Sequence, residues 1–298
     1  MKEDLRVKKT KTAVLNAFIS LIEEKGFENV KIIDIANRAN VNRNTIYLHY
    51  DSKEMIIEEI IDNIFTSQVT EQEFDEKFIP HLQKGEDILY ISCSSALSQS
   101  GNLAVRLAGE KYKTQFPNSR IVVVDSLCSC MGQGSMLLRA AELRDQGKTI
   151  DEIADEINRT KLSYNQIATV EDLSTLAKHG RVKAGKAFFG NIFGVKPMII
   201  SDAKGNNYAV EKAKGRRNAL IRLVEVVKER VIKPETQVCY VSHADARPED
   251  VELVVSKIKE LGFKDVVVGN LGPIISASCG PATFGVYYLG QEETRVGE

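Results

Sequence analysis

The chain has little net charge, no paired-cysteine motif, no clustered histidines and no long apolar run. Each absence removes a class of function. Lys and Arg number 40 against 41 Asp and Glu, a formal net charge of −1 over 298 residues. No global field therefore draws the chain to nucleic acid, and any contact with it must rest on local charge. Cys93, Cys128, Cys130, Cys239 and Cys279 form no CxxC pair. Cys128 and Cys130 read as opposite faces of a strand, unable to hold one metal, so buried reduced thiols of a cytoplasmic protein are expected. His49, His81, His179 and His243 lack metal-ligand spacing, and His243 reads as a solvated loop residue. No Gly-x-Ser-x-Gly elbow occurs, and Gly132-Gln133-Gly134 lacks the third glycine of a dinucleotide fingerprint. No catalytic residue, metal or cofactor is expected, and the chain reads as a non-enzyme. No signal peptide opens it, and no run approaches the roughly 20 apolar residues of a membrane span.

What is present begins at residues 31–53. Ile32, Ile35, Ala36, Ala39, Val41, Ile46 and Leu48 have the spacing of the buried side of two closely crossing helices. The outward side of the second helix carries Asn42, Arg43, Asn44, Thr45, Tyr47 and His49. Such a face suits base edges and phosphates in a major groove. A longer helix precedes it, with an apolar face of Val14, Leu15, Ala17, Phe18 and Leu21 and a stop at Lys25-Gly26. Ser52 is the N-cap of a fourth helix, with Glu54 in its first turn. Basic residues gather at the N-terminal arm, from Lys2 to Lys11, while Glu54, Glu58, Glu59 and Asp62 place acid on the fourth helix.

Thr45-Ile46-Tyr47, Leu48-His49-Tyr50 and Asp51-Ser52-Lys53-Glu54 resemble the DNA-binding domain of TetR-type transcriptional regulators over about residues 8–64. The resemblance implies that Tyr47 and Lys53 hold phosphate and that Arg43, Asn44 and Thr45 lie near base edges. Lys8, Asn42 and His49 complete the expected DNA-binding set, with double-stranded DNA as partner.

Beyond Ile64 the pattern alternates. Ile88–Cys93 and Ile121–Val124 read as strands; Leu97–Lys111, Gly134–Gln146 and Thr149–Lys161 read as helices. This is the signature of a mostly parallel sheet covered by helices. A second lobe follows. Glu171–Lys178, Gly215–Arg230 and Pro248–Leu261 read as helices there; Lys196–Ser201, Asn207–Lys212, Val238–Ser242, Val266–Gly269 and Thr283–Leu289 read as strands. Lys183, Lys186, Arg216 and Arg217 read as a solvated basic face. The fold class expected is an all-α helix-turn-helix head on a two-lobed α/β body, divided at 1–64, 65–160 and 161–298.

Thr66-Ser67-Gln68, Ser94-Ser95-Ala96-Leu97-Ser98 after a strand, Val124-Asp125-Ser126 after the next, Gly180-Arg181, Lys196-Pro197, Gly215-Arg216, Gly272-Pro273 and Gly280-Pro281 come in an order that resembles the DegV family of fatty-acid-binding proteins over residues 66–298. Hydroxyls at the carboxyl end of a parallel strand lie where open α/β sheets place ligands, and an acyl tail would need an apolar tunnel between lobes. Ser94 and Ser95 are also expected to cap the helix that follows. The resemblance implies a long-chain fatty acid as ligand, its carboxylate held by Thr66 and Ser95 with Arg181 nearby and Ser94 beside them. It also implies a partner kinase, the chain itself being a carrier.

The chain departs from the family in two places. Ser278 stands where the family has a histidine before its C-terminal Gly-Pro pair, and is expected to hydrogen-bond the carboxylate in its place without supplying a cation. The family's opening strand is absent, and the helix-turn-helix stands in its place. The first lobe is therefore expected to re-register its strands or to borrow pairing from another subunit. The leading expectation is a dimeric, lipid-responsive transcriptional regulator; the alternative is a carrier presenting acyl chains to a kinase.

Overall fold

The computed structural model describes residues 5–66, 69–178, 180–183 and 194–297. The chain divides into two compact units, Met1–Ser67 and Gln68–Glu298.

The head is helical: α1 (Leu5–Lys25), α2 (Ile32–Ala39), α3 (Arg43–Tyr47) and α4 (Lys53–Thr66). Val14, Phe18, Ile35, Ile46, Tyr50 and Ile56 form its core, each at most 2% exposed. Asn40 ends α2 in the left-handed region at φ 54°, a conformation asparagine tolerates. The Asn42 side chain then accepts from the Asn44 amide at 2.8 Å and starts α3. Ser52 accepts from the Met55 amide at 3.4 Å at the start of α4, as its N-cap role requires. Leu48 departs from expectation. It is 79% exposed, because Leu48 keeps helical dihedrals two residues after buried Ile46 and so points to the opposite side, while Ile46 and Tyr50, one helical turn apart, point inward.

The body opens with α5 (Glu71–Leu82), β1 (Ile88–Ser92), α6 (Ser100–Leu107), a wider turn at Ala108–Tyr112, α7 (Lys113–Gln115), β2 (Ile121–Asp125), α8 (Cys130–Asp145) and α9 (Ile150–Thr160). β1 and β2 form a parallel sheet of two strands. Helices cover both faces, as a parallel pair requires. Tyr90 packs against Phe74 and Phe78 of α5, while Ile91 and Val124 pack against Met136 and Leu143 of α8 and Ile157 of α9.

The edges of this sheet show how it stands with so few strands. The Ile88 amide donates to Arg120 O and the Ser126 amide to Ser92 O, so Ile88, Tyr90 and Ser92 face β2 and Ile91 faces outward. Gln133 of α8 donates its side-chain amide to that outward Ile91 carbonyl at 2.8 Å. On the opposite edge, Lys161 donates to the Asp125 carbonyl at 3.1 Å. Side chains of the same chain thus occupy strand carbonyls that a further strand would have met. At those two positions the acceptor is met from within the chain.

The second lobe contains β3 (Tyr164–Thr169), α10 (Ser174–Lys178), β4 (Val195–Ser201), β5 (Asn207–Lys214), α11 (Arg216–Arg230), β6 (Val238–His243), α12 (Pro248–Lys259), β7 (Asp265–Asn270), α13 (Pro273–Cys279) and β8 (Phe284–Leu289). They build a sheet in the order β5-β4-β3-β8-β6-β7, with only β6 and β7 parallel. Leu220, Leu223 and Val227 of α11 and Val254 and Ile258 of α12 cover one face, against Ile167, Met198, Val241, Phe284 and Val286.

β3 and α13 are not apparent in the apolar pattern. β3 is central, yet it carries Asn165 and Gln166, whose amides bond across the fold: Asn165 accepts from Arg230 at 2.9 Å and donates to Gln291 O at 2.9 Å. Cys128 lies in the loop after β2 and Cys130 begins α8, so the two do not share a strand. His243 ends β6 and packs its ring 5.8 Å from that of Phe284, with Nδ1 buried. Arg216 is no solvated cation: its side chain is 15% exposed and pairs with Glu171 at 3.3 Å and Asp250 at 3.2 Å. Lys186 lies outside the described residues. No described helix is long and apolar enough to cross a membrane, and no group of three His, Cys, Asp or Glu among the described residues could hold a metal ion.

Candidate functional site

Two sites follow from the sequence, one in each unit. In the head, Asn42, Arg43, Asn44 and Tyr47 are exposed on one side of α3, while Thr45 and His49 are half-buried. The Arg43 guanidinium lies 5.3 Å from the centre of the Tyr47 ring and donates to its hydroxyl at 3.3 Å. Stacking of this kind holds a long cation in a fixed direction. Asn42 spends its oxygen on the cap of α3. The Lys53 ammonium is held by Phe27 O at 2.9 Å and sits 4.3 Å from the Phe27 ring centre. The side chain of Lys8 lies outside the described residues. Exposed Leu48, read from the sequence as core, belongs to the same outer surface. Glu59 of the acidic fourth helix binds Lys11 at 3.1 Å.

In the body, Ser94 and Ser95 follow the carboxyl end of β1, and Asp125 ends β2 beside them. Neither serine caps α6, which begins only at Ser100. The two differ in what they do. Ser94 is fully buried, and its hydroxyl donates to Gly205 O at 2.7 Å, in the turn between β4 and β5. Ser95 is half-buried; its amide donates to both Asp125 carboxylate oxygens at 3.3 Å. Asp125 also accepts from the Leu127 amide at 3.0 Å.

Ser278 lies on α13 and returns its hydroxyl to Ile274 O at 2.8 Å. Arg181 follows α10, its amide bonded to Leu176 O at 2.8 Å. A chain of side-chain bonds ties Arg181 to the start of α8: Asn207 donates to Arg181 O, Gln166 to Asn207, and the Ser129 amide to Gln166. The side chain of Thr66 lies outside the described residues.

Three of the cysteines lie next to the serines or after β2. Burial pushes the Cys93 thiol up to about 11, with Cys130 adding to the shift. Burial and the same Cys130 push Cys279 up to about 12. Cys93 precedes Ser94 and Cys279 follows Ser278 in the chain. Burial also holds Cys128 up at about 12. These thiols stay protonated and serve as small packing groups.

A profile of the DegV family, described as uncharacterised proteins, matches residues 40–291, most of the chain. The chain belongs to the DegV family. A second profile, of bacterial regulatory proteins of the tetR family, matches residues 14–60. The chain is thus a fusion of a TetR-type helix-turn-helix with a DegV domain. The matches overlap at residues 40–60, which in this chain fold as α3 and the start of α4 and not as strand. A DegV domain-containing protein of Clostridium perfringens is 33% identical over 226 residues, covering 76% of this chain and 77% of that protein. A fatty-acid-binding DegV protein of Thermus thermophilus superposes with a TM-score of 0.64 at 25% identity, over 74% of this chain and 77% of that one. The Fatty Acid Kinase B3 protein of Streptococcus pneumoniae, solved with linoleic acid, gives a TM-score of 0.59 at 16% identity, covering 67% and 70%.

Proposed function

We propose that this DegV-family protein is a DNA-binding transcriptional regulator whose body takes a long-chain fatty acid. The observation that carries the reading is the exposed polar face of α3 in a TetR-type head, on a body that follows the DegV fold. Asn44, Thr45 and Arg43 read base edges there. Tyr47 and Lys53 hold phosphate, with Lys8, Asn42 and His49 around them, and Leu48 offers an apolar contact suited to a thymine methyl. In the body, Ser95 takes the acyl carboxylate, with Arg181 as a further contact; the Ser94 and Ser278 hydroxyls are already engaged with backbone carbonyls. A dimer places two heads about 34 Å apart or a multiple of it, so a ligand that reorients the bodies shifts affinity for DNA.

The test is a DNA titration with and without long-chain fatty acid. Ligand is expected to change the affinity, and R43A to lower it; identical isotherms with and without lipid reject the switch. The likeness to the pneumococcal kinase B3 protein supports a second reading, a non-enzymatic carrier that presents its acyl chain to a partner kinase. That reading expects bound lipid and no sequence-specific DNA site.

A further inference from the structure

We propose that Ser94 is a positioning residue that locks the head-group loop of the first lobe to the second lobe, and that Ser95 alone of the pair meets the ligand. This rests on the lipid-binding reading above, and its structural arm can be tested without lipid.

The two adjacent serines are committed in different directions. Ser94 is fully buried and anchored on several sides. Its amide donates to Cys128 O at 2.9 Å, its carbonyl accepts from the Leu97 and Ser98 amides, and its hydroxyl accepts from the Ala96 amide at 3.3 Å while donating to Gly205 O at 2.7 Å. A hydroxyl has one proton to donate, and that proton is spent on Gly205. Ser94 therefore has no donor left for a carboxylate. The Ser95 hydroxyl makes no hydrogen bond among the described residues, and its amide is fixed by Asp125.

The receiving turn is built to hold still. Asp202 accepts from the Lys204 and Asn206 amides and from the Gly297 amide, each at 2.9 Å. Ser201 donates to Leu127 O at 2.6 Å, a second bond between the lobes. Gly205 has φ +77°, and a Cβ there would lie 2.2 Å from the Ser94 oxygen and 3.0 Å from Leu127 Cα. The close approach thus demands glycine on one side and a small donor on the other. One loop carries both the ligand-facing hydroxyl and the interlobe bond, so loss of the bond loosens the placement of Ser95.

The experiment compares S94A, S95A and wild type for binding of a long-chain fatty acid and of the matching long-chain alcohol, and follows hydrogen exchange of residues 201–206 in the lipid-free proteins. S94A is expected to weaken acid and alcohol alike, by about three- to tenfold for one lost hydrogen bond, and to speed exchange in the turn. S95A is expected to weaken the acid more than the alcohol and to leave exchange unchanged. G205A is expected to weaken binding more in the wild-type background than in S94A, where the oxygen it strikes is gone. If S94A loses acid selectively, Ser94 is itself a ligand contact and the proposal falls. Unchanged exchange in the turn also overturns it. Absence of lipid binding by wild type would instead defeat the functional reading, leaving the exchange result to decide the lock.

Discussion

Replacing Gln133 by methionine isolates what lets a two-stranded parallel sheet stand. Methionine keeps much of the volume and flexibility of glutamine but cannot donate to the Ile91 carbonyl, now bonded at 2.8 Å. Ile91 is 2% exposed, so little water can replace the lost donor. A buried carbonyl left without its partner costs about 1–3 kcal/mol. For a unit of this size that is roughly 2–10 °C in Tm. The control is Q72M, which removes an amide bonded only to the exposed Glu76 side chain, at 3.0 Å, on the outside of α5. The assay is urea denaturation followed by far-UV circular dichroism, with hydrogen exchange read over 88–92 and 121–125. Q133M should lower the transition midpoint of the body and speed exchange in β1; Q72M should do neither. If Q133M and Q72M match, the Gln133 bond is not what closes the sheet. If protein concentration narrows the stability gap between Q133M and wild type, a second copy is completing the edge, and closure by side chains of the same chain is refuted.

The head and body should also be separable by mutation. Ile46 is fully buried in the head core, and I46A should cost about 2–5 kcal/mol, enough to abolish DNA binding while the unfolding transition of the body stays in place; two transitions that fall together would refute this. Acid should loosen the interlobe turn. Burial raises the Asp202 carboxyl, but the Gly297 and Asn206 amides, the Asn206 side chain and the Lys204 amide outweigh it and hold the group below its ordinary 3.8. The fold therefore favours the carboxylate, and the stabilisation is complete above the ordinary value and lost as pH falls through the lower folded one. Wild type should lose Tm faster than D202N across that range, and parallel curves would count against the assignment.

Much of the architecture is legible before folding. The helix-turn-helix shows itself because its signals are local: apolar positions at helical spacing, Asn42 and Ser52 as caps, Lys25-Gly26 as a stop. The βα alternation of the first lobe and most strands of the second are visible for the same reason. The misplaced core residue, Leu48, sits two positions after buried Ile46, a spacing that puts the two on opposite sides of a helix. β3 escapes notice because its polar Asn165 and Gln166 are satisfied by Arg230, Gln291, Ser129 and Asn207, partners that periodicity does not encode.

The sequence by itself determined that a TetR-type head is joined to a DegV body and which residues offer donors at each site. Only the tertiary structure decided how those donors are used. Ser94 looks like a ligand contact beside Ser95, yet its proton goes to Gly205, 111 residues further along the chain. The outer carbonyls of β1 and β2 look like gaps left by a missing strand, yet Gln133 and Lys161 occupy two of them. Local pattern records which groups a segment carries; a hydrogen bond between distant segments exists only once packing has brought its partners within about 3 Å.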